Sequence, residues 1–252
     1  MKDAQVTIIG FGTMGKAIAK ALQKNDRALA VFGVDVHNSG STNAIKNIKK
    51  SDFIIFAVKP QDAKEVIENN KIYFSENAVL ISIMAGISIK KLAQFSGRKK
   101  IIRMMPNLGL SVGEGIAVWK GVGLSGSELI KAKGFINKIT ENFEVKNEDA
   151  INKITAISGS GPAYFFLLAD CLINACAKLG LKKPESQKLI QKTLSAAAIL
   201  GKEGNYDILI KKVKSKGGTT EAALNVFKKK KFNGIVRDAV NAAYKRATQL
   251  NK

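Results

Sequence analysis

The chain has 252 residues, 46% hydrophobic and 24% charged, with a formal net charge of +21. That is long enough for one or two domains with real cores, and the balance of apolar and charged residues fits a globular chain rather than a disordered or fibrous one. One histidine (His37) and two cysteines (Cys171, Cys176) are too few ligands for a structural zinc site, and no metal is expected.

Lys2 and Asp3 lead straight toward a strand with no apolar h-region, so no leader is expected. Asp170 interrupts the longest apolar run, which argues against a membrane span. The two cysteines are expected to be buried, reduced thiols, and the protein to be cytoplasmic. The charge is uneven: 22 Lys/Arg against 14 Asp/Glu up to residue 150, and 19 against 6 beyond it. Such a field favours anionic ligands. Apart from Lys228 to Lys231 the lysines are dispersed and lack interleaved aromatics, so a solvated basic face is expected rather than a specific nucleic-acid site.

Gln5 to Ile9 reads as a strand, followed at once by Gly10-Phe11-Gly12-Thr13-Met14-Gly15 and a helix from Lys16. In that context a G-x-G-x-x-G run is a dinucleotide fingerprint. The first Gly makes the tight turn, the second admits the pyrophosphate, and the third lets the helix pack on the strand. The helix N-terminus offers free N–H groups to the phosphates. Ala28 to Val36 forms a candidate second strand. Asp35 near its end would bind a ribose hydroxyl and favour NAD, whereas Arg27 would meet a 2′-phosphate and favour NADP; the spacing leaves both open. His37-Asn38-Ser39-Gly40 reads as a surface turn.

A short basic helix at 45–50 precedes a buried strand at 52–58, closed by Lys59-Pro60-Gln61. A helix over 62–69, a strand over 78–83, a helix over 87–95 and a strand over 100–104 follow, then strands at 115–120 and 143–145 around a helix at 127–139. This alternation indicates an α/β fold with a mostly parallel sheet. Residues after strand ends face the ligand crevice, which makes Ala57, Val58 and Lys59 cofactor candidates.

Ile157-Ser158-Gly159-Ser160-Gly161-Pro162-Ala163-Tyr164 separates this half from an almost wholly helical one, and reads either as a junction that opens a long helix beside a ligand cleft or as an ordinary interdomain turn. Helices are expected near 162–179, 184–202, 206–214 and 219–249, the last broken near Asn233-Gly234. Lys216-Gly217-Gly218-Thr219-Thr220 stands at a helix start, where free amides and two hydroxyls make either an anion cradle or a simple cap.

Several of these motifs occur in the order seen in one family. Gly10 to Gly15, Ala57-Val58-Lys59-Pro60-Gln61, Met84-Ala85-Gly86-Ile87, Met105-Pro106-Asn107, Thr155 to Tyr164, Gly217-Gly218-Thr219-Thr220 and Ala242-Ala243 with Arg246 span the chain. The chain resembles the pyrroline-5-carboxylate reductases. The resemblance implies an N-terminal Rossmann-like domain over 1–151 and an all-α C-terminal substrate-binding and dimerisation domain over 152–252. It implies reduction of 1-pyrroline-5-carboxylate to L-proline with NADPH (or NADH), by a homodimer or a larger ring of dimers.

On this resemblance the cofactor is held by Gly10, Gly12, Thr13, Met14, Gly15, Ala57, Val58, Lys59, Pro60, Ala85, Gly86 and Asn107. The substrate is held by Gly217, Gly218, Thr219, Ser160 and Lys216. Thr220 is the hydrogen-bond partner or proton relay of the imine nitrogen, and Ser158 completes the catalytic pair. A basic imine needs no strong acid, in keeping with the lack of histidine in the helical half.

Three departures from the family pattern stand out. The interval from Gly15 to Val58 is short, so the second strand is expected to be trimmed or missing. Leu108-Gly109 replaces the usual Thr-Pro, and Lys216 the usual proline. They leave two alternatives in view: a related imino- or hydroxy-acid dehydrogenase, or an inactive basic paralogue that binds nucleotide or nucleic acid.

Overall fold

A computed structural model describes residues 4–250. Seven strands form one sheet: β1 Gln5–Ile9, β2 Ala30–Val34, β3 Phe53–Phe56, β4 Val79–Ser82, β5 Ile101–Pro106, β6 Ile116–Val122 and β7 Glu141–Glu144. Their order is β2-β1-β3-β4-β5-β6-β7. The first five are parallel; β6 runs antiparallel to β5, and β7 is parallel to β6. β3 and β4 are buried at every position and read FIIF and VLIS, as expected for parallel strands covered on both faces.

The second strand is present. β2 pairs with β1 in full register, Gln5 opposite Ala30 and Ile9 opposite Val34. The short interval therefore shortens what lies between β2 and β3, where only a short 3-10 turn and α2 Thr42–Lys50 fit.

Between strands lie α1 Thr13–Asn25, α2, α3 Ala63–Asn70, α4 Ile89–Ser96 and α5 Gly126–Ile136. Their starts are written in side chains. The Ser41 hydroxyl accepts from the Ala44 N–H, Ser88 accepts from Lys91, and Ser125 with Glu128 forms a reciprocal capping box. Gly97, at φ +68°, ends α4 in the left-handed conformation that glycine adopts freely. The helices seal two apolar layers, one centred on Ile8, Ile18, Leu22, Phe53 and Trp119, the other on Ile9, Ile54, Phe56, Ile67 and Leu80. Phe53 and Phe135 stack with ring centroids 4.1 Å apart.

The junction differs from a flexible turn. α6 Asp149–Ile154 runs into a π-helical turn, Thr155–Gly159, and then α7 Gly161–Lys178. The Ser160 N–H reaches the Thr155 carbonyl at 2.9 Å, one residue beyond the α-helical partner. Pro162 has no N–H to give the preceding turn, so the regular ladder is interrupted there in any case. α6 belongs to the sheet side: Ile151 packs with Met105, Val118 and Val145. Arg103 of β5, fully buried, donates to Glu148 Oε1 and Asn152 Oδ1, both at 2.8 Å. The same Glu148 oxygen accepts the Ile89 N–H at 2.9 Å.

The chain divides into two compact units. The first runs through Ser160 and takes the chain back from Ala243, where Tyr244 donates to Asp149 Oδ1 at 3.1 Å. Hydrogen bonding to Lys153 holds the Asp149 carboxyl below the usual range, against the opposing effect of burial, and the Tyr244 hydroxyl adds to the lowering.

The second unit, Gly161–Ala242, holds α7, α8 Lys183–Leu200, α9 Tyr206–Val213, α10 Thr219–Lys229 and the start of α11 Phe232–Leu250. The last helical run breaks at Lys230-Lys231, not at Asn233-Gly234; Lys231 takes φ +55° and Phe227 closes on Phe232 at 5.1 Å between centroids. Among the described side chains of this unit none that is apolar is buried. Cys171 is exposed and Cys176 half-buried, contrary to the expected buried thiols, because α7 has no cover on that side within one chain. The run Asp149–Lys178 is also long and apolar enough, by length and composition alone, to cross a membrane, which the interruption at Asp170 had argued against.

Candidate active site

The strand order reverses around β1: β2 lies on one side and β3 on the other. Such a switch point opens a crevice at the carboxyl ends of the strands. Because β1 to β5 are parallel, Gly10–Gly15, Ala57–Pro60, Ala85–Gly86 and Asn107 all follow strand ends at this one edge.

The glycine loop is explained atom by atom. Gly10 has φ +96°, and a Cβ there would sit 2.6 Å from the Ala57 carbonyl carbon. Its N–H donates to the Val34 carbonyl at 2.9 Å, tying the loop to β2. Gly15 backs onto the Gly10 carbonyl with no room for a side chain, so α1 starts hard against the loop. Gly12 is different: a Cβ would meet nothing within 4 Å. It is the N-cap of α1 and supplies no side-chain cap, which leaves the first-turn amides facing open space. Below lies a cavity of about 700 Å³, whose walls include Gly10, Gly12, Asp35, Lys59, Asp62 and Glu65. The size suits a nucleotide. A dinucleotide fits these residues: two glycines that cannot be anything else, one left open for a phosphate, and an uncapped helix start.

Asp35 and Arg27 fall at opposite ends of β2. Asp35 directly follows the strand, beside the loop, whereas Arg27 lies in the turn before it, next to the Asp26–Lys138 ion pair. Asn107 Oδ1 accepts the Ile116 N–H at 3.2 Å, so that side chain fixes the loop after β5. Ser158 Oγ donates to the Ile154 carbonyl at 3.3 Å within the π-helical turn.

In the second unit, Gly217 takes φ +73° and Gly218 is the N-cap of α10 with no side-chain cap. Two of the expected cradle amides are committed. The Gly218 N–H donates to the Ser215 carbonyl at 3.1 Å, and the Gly217 N–H to Glu221 Oε2 at 2.8 Å. Lys214 Nζ holds the other Glu221 oxygen at 3.2 Å. The amides of Thr219 and Thr220 remain as the helix's open donors. Sequence reasoning missed Glu221; an acidic residue at the third helical position was the signal. It also missed Asp62 and Glu65, which one helical turn after Pro60 brings to the cavity wall.

A family model for coenzyme F420-dependent NADP oxidoreductases matches residues 5–86, and one for pyrroline-5-carboxylate reductase dimerisation matches residues 148–250. The pyrroline-5-carboxylate reductase of Arabidopsis thaliana is 33% identical over 98% of this chain and 96% of its own length. The chain belongs to the pyrroline-5-carboxylate reductase family. The Aquifex aeolicus pyrroline-5-carboxylate reductase is also 33% identical, covering 98% of this chain and 97% of that one. A crystal structure of Plasmodium falciparum pyrroline carboxylate reductase with NADP bound superposes with a TM-score of 0.86 at 27% identity, covering 100% of both chains.

Within this family, two departures gain a physical reason. Gly109 stands where any Cβ would run into the Glu114 backbone, and the Gly109 carbonyl takes the Glu114 N–H at 3.0 Å. Lys216 replaces proline in a turn that Glu221 already clamps from the helix side.

Proposed function

We propose that this chain reduces 1-pyrroline-5-carboxylate to L-proline with NAD(P)H, as an enzyme of proline biosynthesis. The observation that carries the reading is the end-to-end relationship to pyrroline-5-carboxylate reductases, 33% identical over 98% of the chain, together with a crevice that fits a dinucleotide. Bound NAD(P)H supplies the hydride for the carbon of the cyclic C=N bond.

The chain's own residues bind and orient. Gly10, Gly12 and Gly15, with the open first-turn amides of Thr13 and Met14, hold the pyrophosphate against the α1 N-terminus. Ala57, Val58, Lys59 and Pro60 form the wall after β3, and Ala85, Gly86 and Asn107 form the wall on which the nicotinamide lies. In the helical unit the Thr219 and Thr220 amides hold the substrate carboxylate, supported by the Gly217-Gly218 turn and by the charge of Lys216. The Thr220 hydroxyl faces the ring nitrogen, accepting from or passing on its proton. Ser158 and Ser160 bound the substrate through the π-helical turn. Most of the acceleration comes from holding donor and acceptor carbons in one geometry.

Residues 152–252 are the dimerisation and substrate-binding region in this reading. A homodimer, or a ring of dimers, covers the exposed apolar helices, and the protein works in the cytoplasm without a specific nucleic-acid or membrane partner. The test is oxidation of NADPH and of NADH by the purified protein with 1-pyrroline-5-carboxylate, beside Thr220→Ala. Turnover that falls about tenfold or more in the variant is expected for a proton-handling group. A folded protein with no turnover on either nucleotide would sink the assignment. Unchanged turnover in Thr220→Ala would remove Thr220 from the proton path.

A further inference from the structure

The cavity below the glycine loop carries a choice between the two nicotinamide cofactors. Its decisive side chain is Asp35. The β1–β2 register puts Val34 beside Ile9, and the Gly10 N–H on the Val34 carbonyl, so the residue after Val34 comes next to the loop. Asp35 Oδ1 accepts the His37 N–H at 3.1 Å, which orients the carboxylate as the cap of the 3-10 turn Val36–Asn38. Its second oxygen has no partner among the described residues, and the side chain is exposed to the cavity it lines. Arg27, the other candidate for reading this end of a cofactor, sits before β2. About 16 Å of strand separates it from the loop, by the rise of five extended residues.

Resting on the reductase reading, we infer that Asp35 selects NADH over NADPH by accepting hydrogen bonds from the adenosine ribose hydroxyls. An ionised carboxylate is acceptor-only, and a ribose 2′-hydroxyl is the donor it needs. A 2′-phosphate offers no such donor at neutral pH and brings about −1.5 to −2 charges to the same place. Asp62 and Glu65, which line the same cavity, add like charge. The basic side chains near this end are Lys59, on the same cavity, and Lys16, which lines a neighbouring cavity with Phe11 and Asp35. Neither is an arginine able to grip a phosphate through two parallel N–H groups. Lys59 follows β3 and Lys16 lies one turn into α1, whereas Asp35 directly follows β2, so the acidic group stands nearest the position that follows the second strand.

The experiment is equilibrium binding of NADH and of NADPH to the full chain, followed by the fluorescence of the bound dihydronicotinamide without substrate. The same titrations are made on Asp35→Asn and Asp35→Ser, with far-ultraviolet circular dichroism to show that each is folded. Wild type is expected to bind NADH about tenfold or more tightly than NADPH, the scale of one hydrogen bond to a charged group. Asparagine keeps an oxygen for the His37 N–H but loses the charge. Its preference is expected to collapse to within about threefold, through weaker NADH and tighter NADPH binding. NADPH bound more tightly by wild type would overturn the inference, as would an NADH preference that both variants keep. Binding separates this from the reaction: a selective NADH site with no turnover on 1-pyrroline-5-carboxylate would defeat the function and leave the selectivity standing, while no binding of either nucleotide would defeat both.

Discussion

Glu221 shows how a single side chain can fix the turn that is proposed to hold the substrate. Gly217 needs its left-handed backbone, at φ +73°, to turn the chain into α10, and Lys216 before it supplies none of proline's stiffness. The Glu221 carboxylate does that work from the other side, by taking the Gly217 N–H and pairing with Lys214. Those contacts, the Gly217 N–H first and Lys214 after it, hold its carboxyl below the usual range. The sign follows from that direction. A carboxyl whose folded pKa is depressed contributes above its ordinary value near 4.5, and loses the contribution as pH falls through the lowered one, so the clamp is fully charged at neutral pH. Glu221→Ala should therefore loosen the turn that aims the Thr219 and Thr220 amides. We expect KM for 1-pyrroline-5-carboxylate to rise about fivefold with kcat within about twofold, the pattern of lost uniform binding. Glu221→Gln, which still accepts the Gly217 N–H, should recover most of the loss. A fall in kcat with KM unchanged, read from steady-state kinetics, would show that Glu221 acts on the chemical step instead.

At the scale of elements, β5 and α6 are tied by a charged side chain that is almost wholly buried. Arg103 is buried on an interior strand of the sheet with its two terminal nitrogens on Glu148 and Asn152, and Glu148 also takes the first N–H of α4. Its Nε has no partner among the described residues, so the guanidinium depends on these two contacts. Glu148→Gln leaves that charge uncompensated and should cost about 3 kcal/mol, somewhat less than a deep pair because Glu148 reaches solvent. Arg103→Met, which removes the charge and keeps much of the volume, should cost less. Urea unfolding of both variants checks the order, and Arg103→Met proving the more damaging would refute it.

These elements were legible to different degrees. The strand–helix alternation and the glycine loop were readable because parallel strands write unbroken apolar runs and turns need particular residues. β2 was readable as an apolar run at 28–36, and only the short interval from Gly15 to Val58 made it look trimmed or missing until the β1 register is known. The π-helical turn at Thr155–Gly159 was read only as a junction, because the serines and glycines from Ser158 to Gly161 are also what a loop would use. Asp35 and Arg27 could not be ranked from spacing, because only the strand's direction says which end meets the crevice. The Arg103–Glu148–Asn152 tie joins residues more than 40 positions apart and leaves no periodic trace.

For the whole molecule the two units present opposite surfaces. The sheet unit seals its apolar residues in two layers, whereas Gly161–Ala242 buries no apolar side chain among those described. On α7, Phe165, Phe166 and Leu167 are each about 60% exposed, and Ile199, Val226 and Ile235 on later helices are comparable. Helices with that much apolar surface in water do not hold a unit of this size together alone. The family model for dimerisation covers this unit within residues 148–250, which supports a second copy as the missing cover. Folding of the helical unit and assembly then become one equilibrium, and stability depends on protein concentration. The second half also carries 19 Lys/Arg against 6 Asp/Glu, so like charge opposes pairing and burial of the apolar side chains has to outweigh it. Phe166→Asp places a charge in the surface to be buried. It should shift the sedimenting species from dimer or larger to monomer and abolish turnover, while NADH binding to the sheet unit persists. An equally assembled and active Phe166→Asp protein, in the same sedimentation run, would mean that α7 faces solvent in the working enzyme and that the pairing surface lies on the later helices.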